Sequence, residues 1–152
     1  MVPLAFQGGT ALRFLYALPR HSEYLEFELE GNPATYDLEG YVHAIGTEFH
    51  REGYDPELRF TDDRVVQNAW IRFRGLLDEM ALSGHRDEVF RLKLEVDTRP
   101  SKGADLEITV VRRHVILHLH HHDRPSLLSG NIHAVLQRTC AKSAICTICC
   151  GT

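Results

Sequence analysis

The hydrophobic and polar positions of this chain change period several times, and each period predicts a helix or a strand. Residues 24–29 alternate between polar and apolar side chains, which predicts a strand with one buried face. From residue 37 the apolar positions follow a helical stripe that stops near residue 53. Residues 89–98 alternate most regularly, with apolar side chains on one face and charged side chains on the other.

The remaining pattern predicts shorter elements. Residues 1–6 form an apolar segment before a Gly-Gly turn, and a helix follows that Thr10 caps and Pro19 ends. Strands are expected at residues 57–60, 65–74, 107–111 and 114–119, and a helical turn or a connection is expected at residues 75–83. A last helix is expected from about residue 126, and its apolar positions are Leu127, Leu128, Ile132, Val135 and Leu136. Helices and strands alternate irregularly, which predicts an α/β or α+β domain with a mixed sheet flanked by helices.

Composition is typical of a globular protein. The chain has 152 residues, the length of one domain, with 43% hydrophobic residues, 25% charged residues and a formal net charge of −4. This total charge disfavours non-specific binding of nucleic acid. The sequence shows neither a run of eighteen apolar residues nor a signal peptide, so we expect a cytoplasmic protein without a membrane partner.

The first candidate for chemistry is the turn Gly8-Gly9-Thr10. A Gly-Gly turn that leads into a helix lets backbone N–H groups approach phosphate oxygens, and the helix N-terminus favours negative charge. Thr10 could add a hydroxyl to such a site. Many glycine pairs are ordinary turns, and that alternative stays open from these three residues alone.

The strand after this turn brings a possible metal site. Positions 24 and 26 share one strand face, where two carboxylates would chelate a divalent ion, but here they are Tyr24 and Glu26. Glu95 is the natural third acid on a neighbouring strand and Asp97 the second choice, while Lys93 is positioned to meet a phosphate. The alternative is a solvated strand face with local ion pairs.

Three segments resemble the nucleotidyltransferase AbiEii/AbiGii toxin family. They are residues 6–23 with Phe-Gln-Gly-Gly-Thr-Ala-Leu and Leu-Pro-Arg-His-Ser-Glu, residues 93–100 with Lys-Leu-Glu-Val-Asp-Thr-Arg-Pro, and residues 122–134. The resemblance implies a polymerase-β-like nucleotidyltransferase fold over residues 1–143, incomplete in this chain. It also implies transfer of a nucleotide from an NTP with Mg²⁺ to an acceptor, in some members tRNA, by the toxin of a phage-defence system with a cognate antitoxin.

Residue roles follow from the same resemblance. Gly8, Gly9 and Thr10 would bind the phosphates. Glu26 and Glu95 would be catalytic metal ligands, with Asp97 as a further candidate ligand, and Lys93 would balance the charge of the triphosphate.

The chain also departs from the family pattern. The family has aspartate where Tyr24 and Glu26 stand, and usually lysine where Asn131 stands. A phenol has a pKa of about 10 and is neutral at pH 7, so Tyr24 cannot replace a carboxylate. Loss of one ligand worth roughly 3–4 kcal/mol would slow the reaction by on the order of 10² to 10³. The alternative function is therefore an inactive relative that at most occupies an antitoxin and leaves apolar faces of the last helix and central strands uncovered.

The end of the chain departs further. The family continues after residue 143 with an Arg-Asp-x-x-Asp helix, whereas this chain has Cys146, Cys149 and Cys150 there, close to Cys140. A back-translation with one cytidine added after the codon of Ser143 reads Ser-Arg-Asp-Leu-Tyr-Asp-Leu-Leu-Trp-Tyr. We therefore expect residues 144–152 to be out-of-frame translation rather than a zinc site.

A run of histidines invites another metal hypothesis. It comprises His114, His118, His120, His121 and His122. These residues fall on a predicted strand and its end, and we expect a solvated edge there rather than a metal site.

Overall fold

A computed structural model of the chain describes residues 3–19, 24–62, 65–85, 87–99, 103–112 and 115–136. The four cysteines, His114 and the tail at 144–152 lie outside these ranges, so the hypotheses on them stay predictions. None of the described helices is long and apolar enough to cross a bilayer.

The described elements match the predicted ones in type and order. They are β1 (Leu4–Gln7), α1 (Gly8–Tyr16), β2 (Tyr24–Leu29), a 3₁₀ turn (Pro33–Thr35), α2 (Leu38–Arg51), β3 (Glu57–Thr61), β4 (Val66–Arg74), α3 (Leu76–Glu79), β5 (Val89–Asp97), β6 (Leu106–Arg112), β7 (Ile116–His122) and α4 (Arg124–Leu136). Boundaries differ most at β7, which starts and ends later than expected, and at α4, which begins two residues earlier than predicted.

Seven strands form one mixed sheet in the order β3-β4-β5-β2-β1-β7-β6. The pairs β2/β5 and β1/β7 are parallel, and the other four pairs are antiparallel. The predicted α/β class with a mixed sheet is therefore confirmed. The central strands β5, β2 and β1 include two strands that are far apart in the sequence, β2 and β5, and together the three strands carry every strand residue proposed for chemistry.

The core lies on one face of this sheet. Leu29, Val42, Ala69 and Val96 are buried together, so α2 covers the apolar face of β2, β4 and β5. On β1 the same face carries Phe6, whose ring stacks on Phe27 and contacts Phe14 of α1. The alternate residues of these strands point to the opposite side, which we call the polar face.

Local chemistry explains the start of α2. Asp37 precedes the helix with extended backbone angles, and its Oδ1 accepts a hydrogen bond of 3.0 Å from the Gly40 amide. This bond satisfies one of the unpaired N–H groups of the first turn.

The structure corrects the prediction for the start of α1. The N-cap of α1 is Gln7, and Thr10 lies inside the helix, because the positive φ at Gly8 lets the helix start two residues before Thr10. In α4 the predicted apolar side is buried at Leu127 but exposed at Leu128, Ile132 and Leu136, while the side chain of Val135 lies outside the described part.

The histidine prediction is also wrong in part. Strand β7 lies inside the sheet between β1 and β6, so His121 and His122 are buried at 1% and 3% exposure rather than solvated. The sheet edge on this side is β6. Only His118 among the described histidines of this run is exposed.

Candidate functional site

The turn at Gly8 joins β1 directly to α1. Gly8 has φ +72°, a backbone conformation that residues other than glycine rarely adopt. A Cβ added to Gly8 would lie 1.5 Å from Oε2 of Glu26, which is far inside van der Waals contact. The backbone conformation therefore favours glycine here, and a larger residue would also require the Glu26 carboxylate to move.

The N-terminus of α1 receives a carboxylate from another element. Gln7 makes no side-chain capping bond within the described structure, and the first turn of α1 has no acidic residue. The carboxylate of Glu26 on β2 instead lies against Gly8. A helix N-terminus carries partial positive charge and unpaired N–H groups, so this place suits an anion. Glu26 is that anion in this structure, and a phosphate would have the same reason to bind.

The two acids proposed as catalytic residues are direct neighbours. Strands β2 and β5 are parallel, and their register places Glu26 opposite Glu95 on the polar face. Adjacent strands lie about 4.8 Å apart, so the two carboxylates are within reach of one ligand. The same register places Asp97 opposite Glu28, and the Asp97 carboxylate accepts a hydrogen bond of 2.9 Å from the Arg99 amide. The structure thus brings together Glu26 and Glu95, and it places Asp97 one position further along.

Lys93 has neighbours on both sides of its strand. Its ammonium forms an ion pair with Glu95 on the same strand. Its Nζ lies 5.1 Å from the centroid of the Tyr24 ring on β2 and 5.3 Å from the centroid of the Trp70 ring on β4. The register accounts for both contacts, since Lys93 is opposite Tyr24 on one side and opposite Trp70 on the other. Lys93 is only 19% exposed, so its ammonium is held largely by protein groups.

The other predicted phosphate-binding residues surround the turn. Gly9 and Thr10 belong to the first turn of α1, next to Gly8. Thr10 is buried, and its hydroxyl donates a hydrogen bond to the carbonyl oxygen of Tyr24. This bond fixes α1 against the start of β2. A role for Thr10 in nucleotide binding stays a prediction.

Sequence reasoning missed Trp70. The alternation of β4 places Trp70 between Ala69 and Ile71, which are both buried in the core. A large aromatic residue on the polar face of a strand was the available signal. Its partner was not visible, because the Trp70–Lys93 contact depends on how β4 and β5 are aligned.

A largely buried cluster of one histidine and two glutamates beside the site was missed as well. Nε2 of His122 lies 2.7 Å from Oε1 of Glu30, and Nδ1 lies 3.8 Å from Oε2 of Glu28. The side chains of His122 and Glu28 are 4% and 5% exposed. This cluster joins β7 and the end of β2 across β1, the strand that leads into the Gly8 turn. It therefore stabilises the strand that positions the turn.

The groups around Glu26 each have a neighbour within the protein. Tyr24 offers a phenol rather than a carboxylate, the carboxylate of Glu26 faces the N-terminus of α1, and the carboxylate of Glu95 is paired with Lys93. Across the described ranges, no three Asp, Glu, His or Cys side chains are grouped so that they could hold a metal ion. The chemistry available is one carboxylate pair, one ammonium and one helix N-terminus.

No protein-family model, no curated protein sequence and no solved structure matches this chain.

Proposed function

We propose that this chain is a nucleotidyltransferase-type domain that binds a nucleoside triphosphate on the polar face beside Gly8, with weakened transfer activity. One observation carries the proposal. The N-terminus of α1, Glu26 and Glu95 come from separate parts of the sequence and meet at one place. This is the arrangement that the AbiEii-like resemblance leads one to expect of a nucleotidyltransferase.

The reaction would be attack of an acceptor hydroxyl on the α-phosphorus of the nucleotide. A new P–O bond forms to the acceptor, the bond to pyrophosphate breaks, and the hydroxyl proton leaves to a base. The nucleoside triphosphate arrives as its magnesium complex, since Mg²⁺ prefers phosphate and carboxylate oxygens. The N-terminus of α1 favours the phosphate charge, and Glu26 and Glu95 flank the place where the two substrates meet.

Weak activity follows from Tyr24. The side chain at position 24 is a phenol and not a carboxylate, so one ligand of the family arrangement is missing. We expect Tyr24→Asp to raise the rate of transfer by on the order of 10² to 10³.

The assay incubates the purified chain with each α-³²P-labelled NTP, Mg²⁺ and total tRNA. We expect slow label transfer that Glu95→Ala abolishes. Arg74→Ala is the matched control, because Arg74 is an exposed residue on β4 that pairs with Glu57 and lies away from Glu26 and Glu95. Transfer that survives Glu95→Ala, or no binding of any NTP, would overturn the proposal.

The competing function is an inactive relative that binds an antitoxin. The exposed apolar residues Leu128, Ile132 and Leu136 on α4 favour a partner of some kind. Absence of transfer even with Tyr24→Asp, together with a stable complex with the product of a neighbouring antitoxin gene, would establish this function instead.

A further inference from the structure

We infer that the polar face accommodates one divalent cation with its nucleotide rather than two, because the ammonium of Lys93 takes the place of the second. This inference rests on the proposed function for the nucleotide, but its main test uses a metal ion alone. It concerns three residues that lie side by side across β4, β5 and β2, namely Trp70, Lys93 and Tyr24.

The first step is charge. A second divalent ion would need the carboxylate of Glu95, and that carboxylate is already paired with Lys93. The pair is only 19% and 26% exposed, so water screens it less than it screens a surface pair. A cation that enters must first displace the ammonium from Glu95.

The second step is what holds the ammonium in place. The rings of Tyr24 and Trp70 lie 5.1 Å and 5.3 Å from Nζ, both within the distance at which an aromatic ring attracts a cation. Lys93 therefore has two aromatic neighbours in addition to Glu95. Removing it from this place costs all three contacts, which we expect to weaken binding of a second ion at least about tenfold.

The third step links this arrangement to the departure at position 24. With aspartate at position 24, Lys93 would have one aromatic neighbour fewer and the site would have one metal ligand more. With Tyr24, the ligand is missing and the aromatic neighbour is present. A single substitution thus changes a place for a divalent ion into a place for an ammonium group.

Glu26 is the acid that an ion arriving with the nucleotide would use. It lies against Gly8 at the N-terminus of α1, where the phosphates of a nucleotide would also approach. An ion that arrives with the nucleotide could use Glu26 and phosphate oxygens together.

The test measures Mn²⁺ binding by electron paramagnetic resonance of the free ion. Without nucleotide, Lys93→Met is expected to tighten Mn²⁺ binding at least about tenfold, because Glu95 is released. Arg74→Met is the matched control: it removes one cation from the ion pair between Arg74 and Glu57, away from the site, and should leave Mn²⁺ binding unchanged. Equal Mn²⁺ affinity for Lys93→Met and Arg74→Met would overturn the inference.

A second arm counts ions with nucleotide present. The unaltered chain with each α,β-methylene nucleoside triphosphate should bind one Mn²⁺ per complex, and Tyr24→Asp should bind two. Tyr16→Asp makes the same substitution at the other tyrosine with a cation–π partner, Arg124, and should leave the count at one. Two Mn²⁺ per complex in the unaltered chain would overturn the inference while the proposed function stands.

The two ideas fail in different ways. If no nucleotide binds at any Mn²⁺ concentration, the proposed function is overturned, and the experiment without nucleotide still decides about Lys93. Trp70→Leu provides a second variant should Lys93→Met not fold. It keeps the lysine but removes one aromatic neighbour, so we expect a smaller gain in Mn²⁺ affinity than for Lys93→Met, and no gain would count against the inference.

Discussion

Gly8→Ala should destabilise the chain more than alanine does at another glycine with positive φ. An alanine at φ +72° costs roughly 1–2 kcal/mol in backbone strain. The new Cβ would also lie 1.5 Å from Oε2 of Glu26, so the Glu26 side chain must change its conformation. That change costs about 0.5–1.5 kcal/mol. Loss of the interaction between the Glu26 carboxylate and the N-terminus of α1 costs about 0.3–1 kcal/mol more. The expected total is about 2–4 kcal/mol.

Gly53→Ala is the matched control. Gly53 has φ +89°, and a Cβ there would meet no atom within 4 Å. It therefore reports backbone strain alone, about 1–2 kcal/mol. Urea denaturation followed by circular dichroism measures both free energies of unfolding, and in thermal melts each kcal/mol corresponds to about 2–4 °C for a chain of this size.

A double-mutant cycle isolates the contact with the carboxylate. In a Glu26→Ala background, Gly8→Ala should cost only about 1–2 kcal/mol, so the coupling between the two positions is about 1–2 kcal/mol. If Gly8→Ala costs no more than Gly53→Ala, or if its cost does not change when Glu26 is removed, the close approach between Gly8 and Glu26 is refuted.

Three further predictions concern stability. Asp37→Ala removes the N-cap of α2 and should cost about 1 kcal/mol in urea denaturation, with no loss if the cap is unimportant. Burial raises the pKa of Tyr36 to about 12, and its hydroxyl is buried without a hydrogen-bond partner in the described part of the chain. In the unfolded chain the Tyr36 phenol loses its proton at lower pH than in the folded protein, so the free energy of unfolding should fall as pH rises from about 10 to 12. Tyr36→Phe should reduce this fall and cost little at pH 7. An unchanged pH profile in Tyr36→Phe would contradict the raised pKa of Tyr36. His122→Ala leaves Glu28 and Glu30 without their shared imidazole and should cost about 3 kcal/mol, whereas a cost below about 1 kcal/mol would show that the cluster is not needed.

Most element types were predictable because each has a strong local signal. Strands β2, β4 and β5 separate a core from a polar face, so apolar residues recur with period two and identify the strands directly. The start of α1 was not predictable in the same way. A helix that begins at a glycine with positive φ has no sequence signature that distinguishes it from a turn followed by a capped helix at Thr10.

The site was predictable only as far as single strands determine it. Alternation places Glu26 and Glu95 on the polar faces of their strands, and the structure places them opposite each other. The contacts of Lys93 with Tyr24 and Trp70 depend on the alignment of three strands, which no local pattern encodes. The burial of His122 likewise depends on strand order, because β6 rather than β7 forms the sheet edge.

The pairing of β2 with β5 also determines when the site can exist during synthesis. Glu26 is translated before α2, β3 and β4, and all three are made before Glu95. At roughly 5–20 residues per second, the interval between these two acids lasts on the order of 3–14 s. Throughout that time Glu26 has no neighbour from β5, and β5 must later insert between β4 and β2. Since such long-range parallel pairing is slow, any ligand or partner of the polar face meets its binding surface only on a finished sheet.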